Sequence, residues 1–578
     1  MDDTPVVLGI NHDRHASICL MHGAHVQWAI QKERLTRRRH HPGEPGDLDA
    51  FYLPRLSGLE RPLDVLVECL ATHEAGAHDG DDAGAAAGEG TGEAVGEGVG
   101  EGVGEAEGEA VDEAANEAYL ALAFAHGARR ARISQHLAHV YSAFHPSPFR
   151  EAAVLVLGRQ ASEGPGRGHV LASGYRVDRE HITCIGQQVT AGGAHLAAGL
   201  DTFYFRLTQA LFPGEGNEGK VSDLAPYGDP HAPGLPPLAV EGLQVDIPQA
   251  WQAVLQETTR FRFGAPQASF TDCANLAAAG QRAFEHALLA QAHWLHLRTG
   301  LDDLCLAGDA ALNSAANARL LRDGPFRRVF VPPAPSAAGA ALGCAIHGLL
   351  ELAGRSVDFR WTHDYLGPAP QLADIEAALD GASDLIVEHP RGRDALCARM
   401  LDMLCSGRVV GLYQGRSEFG PRGLGHRSIL ADPRRARMRD WINARVKERE
   451  WFRPCAPMVA QERAFQYFDL RAPSPFMGFA VPVRSSVMPW LAAVTHVDGS
   501  ARLQTVGPGD DPVLRALLAG FEVRTGVPVL LSTSLCGRDE PLVETPQEAV
   551  ATFRRMPLHG LAMPPYLVMK RHEPGLPA

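Results

Sequence analysis

Basic side chains are concentrated in the stretch from Gly415 to Pro457, where aromatic and aliphatic residues interrupt the charge and predict that the stretch is anchored in a core. Part of it is a glycine-broken loop, GPRGLGHRS, and part follows a predicted helix. Fixed guanidinium groups around a glycine loop suit a bound phosphate or carboxylate. A surface helix with ordinary ion pairs is the alternative. The residues best placed to bind an anion are Arg422, Arg427, Lys447, Arg449 and Arg453.

Length and composition limit the class of protein. A chain of 578 residues predicts roughly two to four domains. It has no apolar run of the roughly 20 residues that a membrane helix needs. The first residues, MDDTPVVLGIN, do not have the pattern of a secretory signal. The ten cysteines form no close pair, which fits a reducing compartment and predicts a cytoplasmic protein.

The net charge of −14 comes from one segment. Residues 74–117 are rich in Gly, Ala and Glu and contain 14 acidic residues but no Lys or Arg, so we expect a disordered insertion. The rest of the chain contains 54 acidic and 54 basic residues. The balance predicts neither a nucleic-acid-binding face nor a membrane-binding face, and the acidity says nothing about partners of the folded part.

Apolar periodicity predicts an α/β protein of two domains. Residues 5–30 read as an antiparallel strand meander, residues 152–158 as a buried strand, and residues 200–213 and 276–299 as helices. Residues 47–71 have helical spacing. The predicted organisation is a first domain over residues 1–355, a proline-containing linker over 356–390 and a second domain over 391–572.

Seven segments in this order resemble the O-carbamoyltransferases of antibiotic and nodulation-factor biosynthesis. The segments are LGIN with ERLTRRRH near the start, QHLAH, EGKVSDLAPYG, LAGDAALNSAAN, the basic stretch, HVDGSARLQTV and STSLCGRDEPLVETP. The resemblance implies a first domain like the tRNA threonylcarbamoyl-transferase, with an actin/Hsp70-like fold. It implies a second domain like threonylcarbamoyl-AMP synthase.

The resemblance also implies a two-step reaction. The second domain would convert ATP and carbamoyl phosphate to carbamoyl adenylate, with Mg²⁺ accompanying the nucleotide. The first domain would pass the carbamoyl group to a small-molecule acceptor. Lys447, Arg449 and His496 would be catalytic. The residues expected to bind carbamoyl phosphate and ATP are Arg422, Arg427, Arg453, Arg502 and Ser534, and those expected to bind nucleotide in the first domain are Lys220, Gly308 and Asn313.

The iron site of the resembled family is altered in this chain. The positions of its four ligands hold Gln135, His139, Leu157 and Ala337. Leucine and alanine cannot coordinate a cation, and a glutamine carbonyl is a poor substitute for imidazole. We therefore expect a protein without the family's iron.

The leading function is carbamoyl transfer to a hydroxyl or amine of a specialised metabolite, without iron. One alternative is a pseudoenzyme or nucleotide-binding partner that has lost transfer. Another is a different ATP-dependent group transfer that keeps the adenylate-forming half. The sequence does not identify the acceptor or the oligomeric state.

Overall fold

The structure is a computed structural model. It describes residues 4–44, 47–52, 62–69, 127–162, 169–190, 198–257, 259–470, 472–572 and 574–576. The predicted acidic insertion, 74–117, lies outside the described residues. No described helix is both long and apolar enough to cross a membrane.

The first sheet begins with the predicted meander. Its strands are β1 (Val6–Asn11), β2 (Ser17–His22), β3 (His25–Gln31), β4 (Val65–Cys69) and β5 (Arg129–Ile133). They lie in the order β3-β2-β1-β4-β5; the first three are antiparallel, and β4 and β5 run parallel to β1. The helical spacing of residues 47–71 therefore gives a wrong prediction for Val65–Cys69, which form β4.

The second sheet repeats this pattern. Its strands are β6 (Ala152–Ser162), β7 (His169–Val177), β8 (Ile182–Thr190), β11 (Asp303–Ala307) and β12 (Arg328–Phe330), and a small hairpin adds β9 (Ala239–Glu241) and β10 (Gln244–Asp246). In the order β12-β11-β6-β7-β8, three antiparallel strands again precede two parallel ones. Two sheets of one topology confirm the predicted actin/Hsp70-like fold.

Helices cover both sheets of the first domain. They are α1 (Lys32–Thr36), α2 (Gln135–Phe144), α3 (Leu200–Leu211), α4 (Glu218–Leu224), α5 (Gln249–Gln256), α6 (Phe270–Thr299), α7 (Ser314–Asp323) and α8 (Ala340–His347). Helix α8 is rich in small residues, which allow it to pack directly on α2 and β1. A Cβ on Gly343 would lie 1.9 Å from the carbonyl oxygen of Ala138.

The second domain is built on an eight-stranded sheet in the order β13-β22-β21-β14-β15-β20-β16-β19. Its strands are β13 (Leu385–Glu388), β14 (Val410–Tyr413), β15 (Arg427–Ala431), β16 (Ala456–Ala460), β19 (Gln504–Val506), β20 (Val529–Ser534), β21 (Gly560–Met563) and β22 (Tyr566–Lys570). Strands β17 (Ala480–Pro482) and β18 (Ser500–Arg502) form a separate pair. The helices are α9 (Leu372–Leu379), α10 (Arg393–Cys405), α11 (Ala436–Trp441), α12 (Gln461–Tyr467), α13 (Pro512–Thr525) and α14 (Pro546–Arg555).

The predicted linker is partly structured. Strand β13 lies inside residues 356–390 and pairs with β22 at the edge of the large sheet. Helix α9 lies there too and packs on α14. The later part of this segment therefore belongs to the second domain, and the earlier part connects the two domains.

Candidate active site

One cavity of about 640 Å³ lies between the two domains and is lined by residues of both. It brings together eight of the residues that the sequence singles out. These are Lys220, Asn313, Arg422, Lys447, Arg449, Arg453, Arg502 and Ser534. Four basic residues of the stretch thus line one concave site, and anion binding there stays a prediction.

The glycine-broken loop connects β14 to β15 and positions Arg422. A buried carboxylate organises this loop, because Glu418 Oε1 accepts hydrogen bonds from the backbone N–H groups of Leu424, His426 and Arg427 at 2.7, 3.0 and 3.2 Å. Arg422 Nη2 donates to the Leu312 carbonyl of the first domain at 3.1 Å. Burial, and next the charge of Arg502, lower the pKa of Arg422 to about 9. A bound anion would stabilise the charged form of this buried guanidinium.

Lys447 and Arg449 flank a backbone turn after α11. Glu448 between them has a φ of 46°, in the left-handed region, and both flanking side chains line the cavity. Lys447 Nζ donates to the carbonyl oxygens of Ser534 and Cys536 at 2.9 and 2.7 Å. Arg449 Nε donates to Asn443 Oδ1 at 2.8 Å. Burial lowers the pKa of both cations. The turn therefore holds two cations whose charged forms are disfavoured by burial.

A buried aspartate of the first domain connects two arginines of the second. Asp223, on α4, lies 2.5 Å from Arg453 Nε and 3.3 Å from Arg502 Nη2. Burial raises the pKa of Asp223, but the two guanidinium charges outweigh it and hold that pKa below its usual value. Asp223 is therefore ionised, and it orients both arginines towards the cavity that they line.

The remaining predicted residues that line the cavity are each held by a neighbouring residue. Lys220 Nζ lies 2.8 Å from Glu450 Oε1, an ion pair between the domains. Asn313 caps α7 by accepting from the Ala316 N–H at 3.1 Å. The Ser534 hydroxyl accepts from the Gly423 N–H at 3.1 Å.

Three predicted residues do not line the cavity. Arg427 is fully buried, donates to the carbonyl oxygens of Gln414, His426 and Gly415, and stacks 4.0 Å from the Tyr413 ring centroid. It supports the fold and is not placed to meet a phosphate. His496 Nε2 donates to the Asp223 carbonyl at 2.9 Å, behind the arginines.

Gly308 has a packing reason for being glycine. Its φ is 92°, and a Cβ there would lie 1.9 Å from the Leu157 carbonyl oxygen. The turn brings the next residue, Asp309, to the cavity wall. Gly308 therefore shapes the turn, and its predicted contact with a nucleotide stays a prediction.

Comparison with known proteins decides the family of this chain. Residues 128–346 match the family described as "Carbamoyltransferase N-terminus", and residues 401–570 match "Carbamoyltransferase C-terminus". The nodulation protein NolO of Bradyrhizobium diazoefficiens is 36% identical over 453 residues, which cover 76% of this chain and 79% of that protein. The chain belongs to the carbamoyltransferase family. Its members are transferase enzymes, and this chain is one of them.

Two further relatives and one solved structure are also similar to this chain. The nodulation protein NolNO of Sinorhizobium fredii is 37% identical over 460 residues, covering 77% of this chain and 64% of that protein. An uncharacterized protein of Synechocystis is 34% identical, covering 76% of each chain. Among solved structures, HypF from T. kodakarensis has 13% identity and a TM-score of 0.37, covering 61% of this chain and 48% of that one.

The residues at the resembled family's iron-ligand positions do not fit iron. The Gln135 amide donates to Asp13 Oδ2 at 2.6 Å, and Leu157 and Ala337 are buried and apolar. His139 is the single imidazole, and burial lowers its pKa to about 4. In the described part of the chain, no three His, Cys, Asp or Glu side chains are grouped to hold a metal ion. The expectation of an iron-free protein stays a prediction.

The acidic residues of the candidate site were not predicted from the sequence. Asp223 and Glu450 hold the basic residues, and Asp201, Glu215 and Asp309 form an acidic wall on the first-domain side. Asp223 stands in the motif EGKVSDLAPYG, beside Lys220. A charged residue inside an otherwise apolar stretch of that motif was the available signal.

Proposed function

We propose that this carbamoyltransferase activates carbamoyl phosphate with ATP and transfers the carbamoyl group to a hydroxyl or amine of a specialised metabolite, without iron. Water would cleave carbamoyl phosphate to carbamate and phosphate. A carbamate oxygen would attack the α-phosphorus of ATP, so that carbamoyl adenylate forms and pyrophosphate leaves. The acceptor oxygen or nitrogen would then attack the carbamoyl carbon, lose its proton, and release AMP.

The observation that carries the proposal is the shared cavity. Cations of the second domain and polar residues of the first domain line one space, so an adenylate formed against the basic residues need not leave the cavity to meet an acceptor. A reactive mixed anhydride gains from such an enclosure because it is kept from bulk water.

The basic residues suit the adenylation step. ATP and carbamoyl phosphate together carry several negative charges, which repel each other unless they are held by fixed cations. Arg422, Lys447, Arg449, Arg453 and Arg502 supply those cations from rigid positions. ATP and carbamoyl phosphate are therefore the proposed ligands, with Mg²⁺ on the nucleotide.

A protein that has lost transfer is the second candidate. The altered positions Gln135, Leu157 and Ala337 favour it, because they lie in the domain that would perform transfer. The basic residues of the second domain do not discriminate between the two candidates, since both retain adenylation.

The test is exchange of labelled pyrophosphate into ATP, dependent on carbamoyl phosphate, followed by transfer of labelled carbamoyl groups to a panel of hydroxyl and amine acceptors. Arg449→Ala should abolish exchange. The control is Arg437→Ala, an exposed arginine on α11 away from the cavity. No exchange by the wild-type protein would refute the proposal, and exchange without transfer to any acceptor would favour the second candidate.

A further inference from the structure

An arginine of the first domain pairs with an aspartate that lines the cavity. Arg14 follows β1 in the turn that leads to β2, and its Nη2 lies 3.3 Å from Asp309 Oδ2. Asp309 follows the Gly308 turn and lines the cavity. The Arg14 side chain is 27% exposed and that of Asp309 is 15% exposed. The pair is thus partly shielded from solvent, where charge interactions keep much of their strength.

Three other carboxylates act electrostatically on the same guanidinium. Asp201 and Glu215 line the cavity with Asp309, and Asp13 lies directly before Arg14 in the turn. Burial lowers the pKa of Arg14, but the charges of these four carboxylates outweigh it and leave that pKa above its usual value. Arg14 is therefore a permanent cation that compensates a concentrated negative charge.

Two positions that hold iron ligands in the resembled family, Gln135 and His139, are also close to these carboxylates. Gln135 donates its amide to Asp13 Oδ2 at 2.6 Å, so one altered position contacts the aspartate that directly precedes Arg14. His139 is 3% exposed, and its Nδ1 has no hydrogen-bond partner among the described residues. The charges of Asp13 and Asp309 act on both the His139 imidazole and the Arg14 guanidinium. The ligand positions of the resembled family therefore lie near carboxylates that share one arginine.

We propose that Arg14 is the resident cation of the first-domain site and takes the electrostatic place of a metal ion. This inference rests on the proposed function. An anionic adenylate would be repelled by Asp201, Glu215 and Asp309 unless their charge were compensated. Arg14 acts on these carboxylates, so it is a positioning residue. A fixed guanidinium provides this compensation without a bound metal.

The inference is tested with Arg14→Ala and Arg14→Lys in the full chain. Arg14→Ala should lower carbamoyl transfer about 100-fold, the range for removing one preorganised charged group. Arg14→Lys keeps the charge and should retain activity within about tenfold of wild type. Methylguanidinium should restore transfer by Arg14→Ala and should leave Arg38→Ala, an exposed matched control, unchanged. No rescue, with Lys no better than Ala, would overturn the inference.

A second measurement does not depend on activity. Millimolar methylguanidinium should raise the thermal unfolding midpoint of Arg14→Ala, because it binds beside Asp309 in place of the removed guanidinium, and should not raise that of the wild type. Equal shifts in both proteins would overturn the inference. An iron-selective chelator should leave wild-type transfer unchanged, and loss of transfer would show that a metal carries the charge instead. Failure of wild-type pyrophosphate exchange would refute the proposed function alone, since the midpoint shift needs no turnover.

Discussion

At the scale of single residues, Arg422 is the most direct test of anion binding. Burial, and next the charge of Arg502, lower its pKa to about 9. Arg422→Gln should weaken binding of inorganic pyrophosphate about 10-fold or more, because one charge-assisted hydrogen bond contributes roughly 1.5–3 kcal/mol. Isothermal titration calorimetry measures the change, and Arg437→Gln is the exposed control. Equal affinity in Arg422→Gln and wild type would remove Arg422 from the site.

The sequence shows which residues could bind an anion, but it does not show in which direction each side chain points. Arg422 and Arg427 stand five positions apart in one loop, yet Arg422 lines the cavity and Arg427 points into the core against Tyr413. The difference depends on which backbone carbonyls the fold brings near each guanidinium. His496 shows the same limit, since its partner Asp223 is 273 positions away.

At the scale of elements, the loop between β14 and β15 depends on one carboxylate. Glu418 is 1% exposed and accepts three backbone hydrogen bonds from that loop. Glu418→Ala should lower the free energy of unfolding by about 3 kcal/mol or more, because buried N–H groups lose a charged acceptor. It should also lower pyrophosphate exchange by releasing Arg422. Chemical denaturation and the exchange assay measure these effects.

Glu418→Gln provides the graded control for this loop. Its amide carbonyl keeps one neutral acceptor in the same place, so its loss of stability should be smaller than that of Glu418→Ala. If both variants were as stable as wild type, the loop would be organised by its glycines and not by the carboxylate.

Elements with a clear period could be predicted, and elements set by pairing could not. The meander appears as β1, β2 and β3, and the long helical spacing appears as α6 (Phe270–Thr299). The strand β4 has five buried residues, Val65–Cys69. A fully buried strand has no polar face, so its apolar run does not show the alternation that separates strand from helix. Its pairing with β1 and β5 determines its conformation.

At the scale of the whole molecule, three segments meet beside the cavity. The linker residue Asp364 accepts from the Gly420 N–H through Oδ2 at 2.8 Å, and Arg34 of the first domain donates to the Gly420 carbonyl at 2.6 Å. Gln31 donates to the Phe419 carbonyl. Because the two domains and the linker share this junction, the geometry of the cavity depends on their joint folding, and no local pattern in the sequence could have shown it.

This junction gives the stability of the molecule a pH dependence. Burial raises the pKa of Asp364 well above its ordinary value. A raised pKa in the folded state means that the contribution of Asp364 to stability is fully present below a pH of about 4 and is lost as pH rises through the folded-state pKa. Asp364→Asn cannot ionise and keeps the side-chain oxygen that accepts from Gly420. Its free energy of unfolding should therefore increase relative to wild type as pH rises above about 4, by roughly 1.4 kcal/mol for each unit of pKa shift. Chemical denaturation at several pH values measures the free energy of unfolding of both proteins, and Asp380→Asn is the exposed control. If the difference in free energy between Asp364→Asn and wild type did not change with pH, Asp364 would be ionised in the folded protein throughout that range.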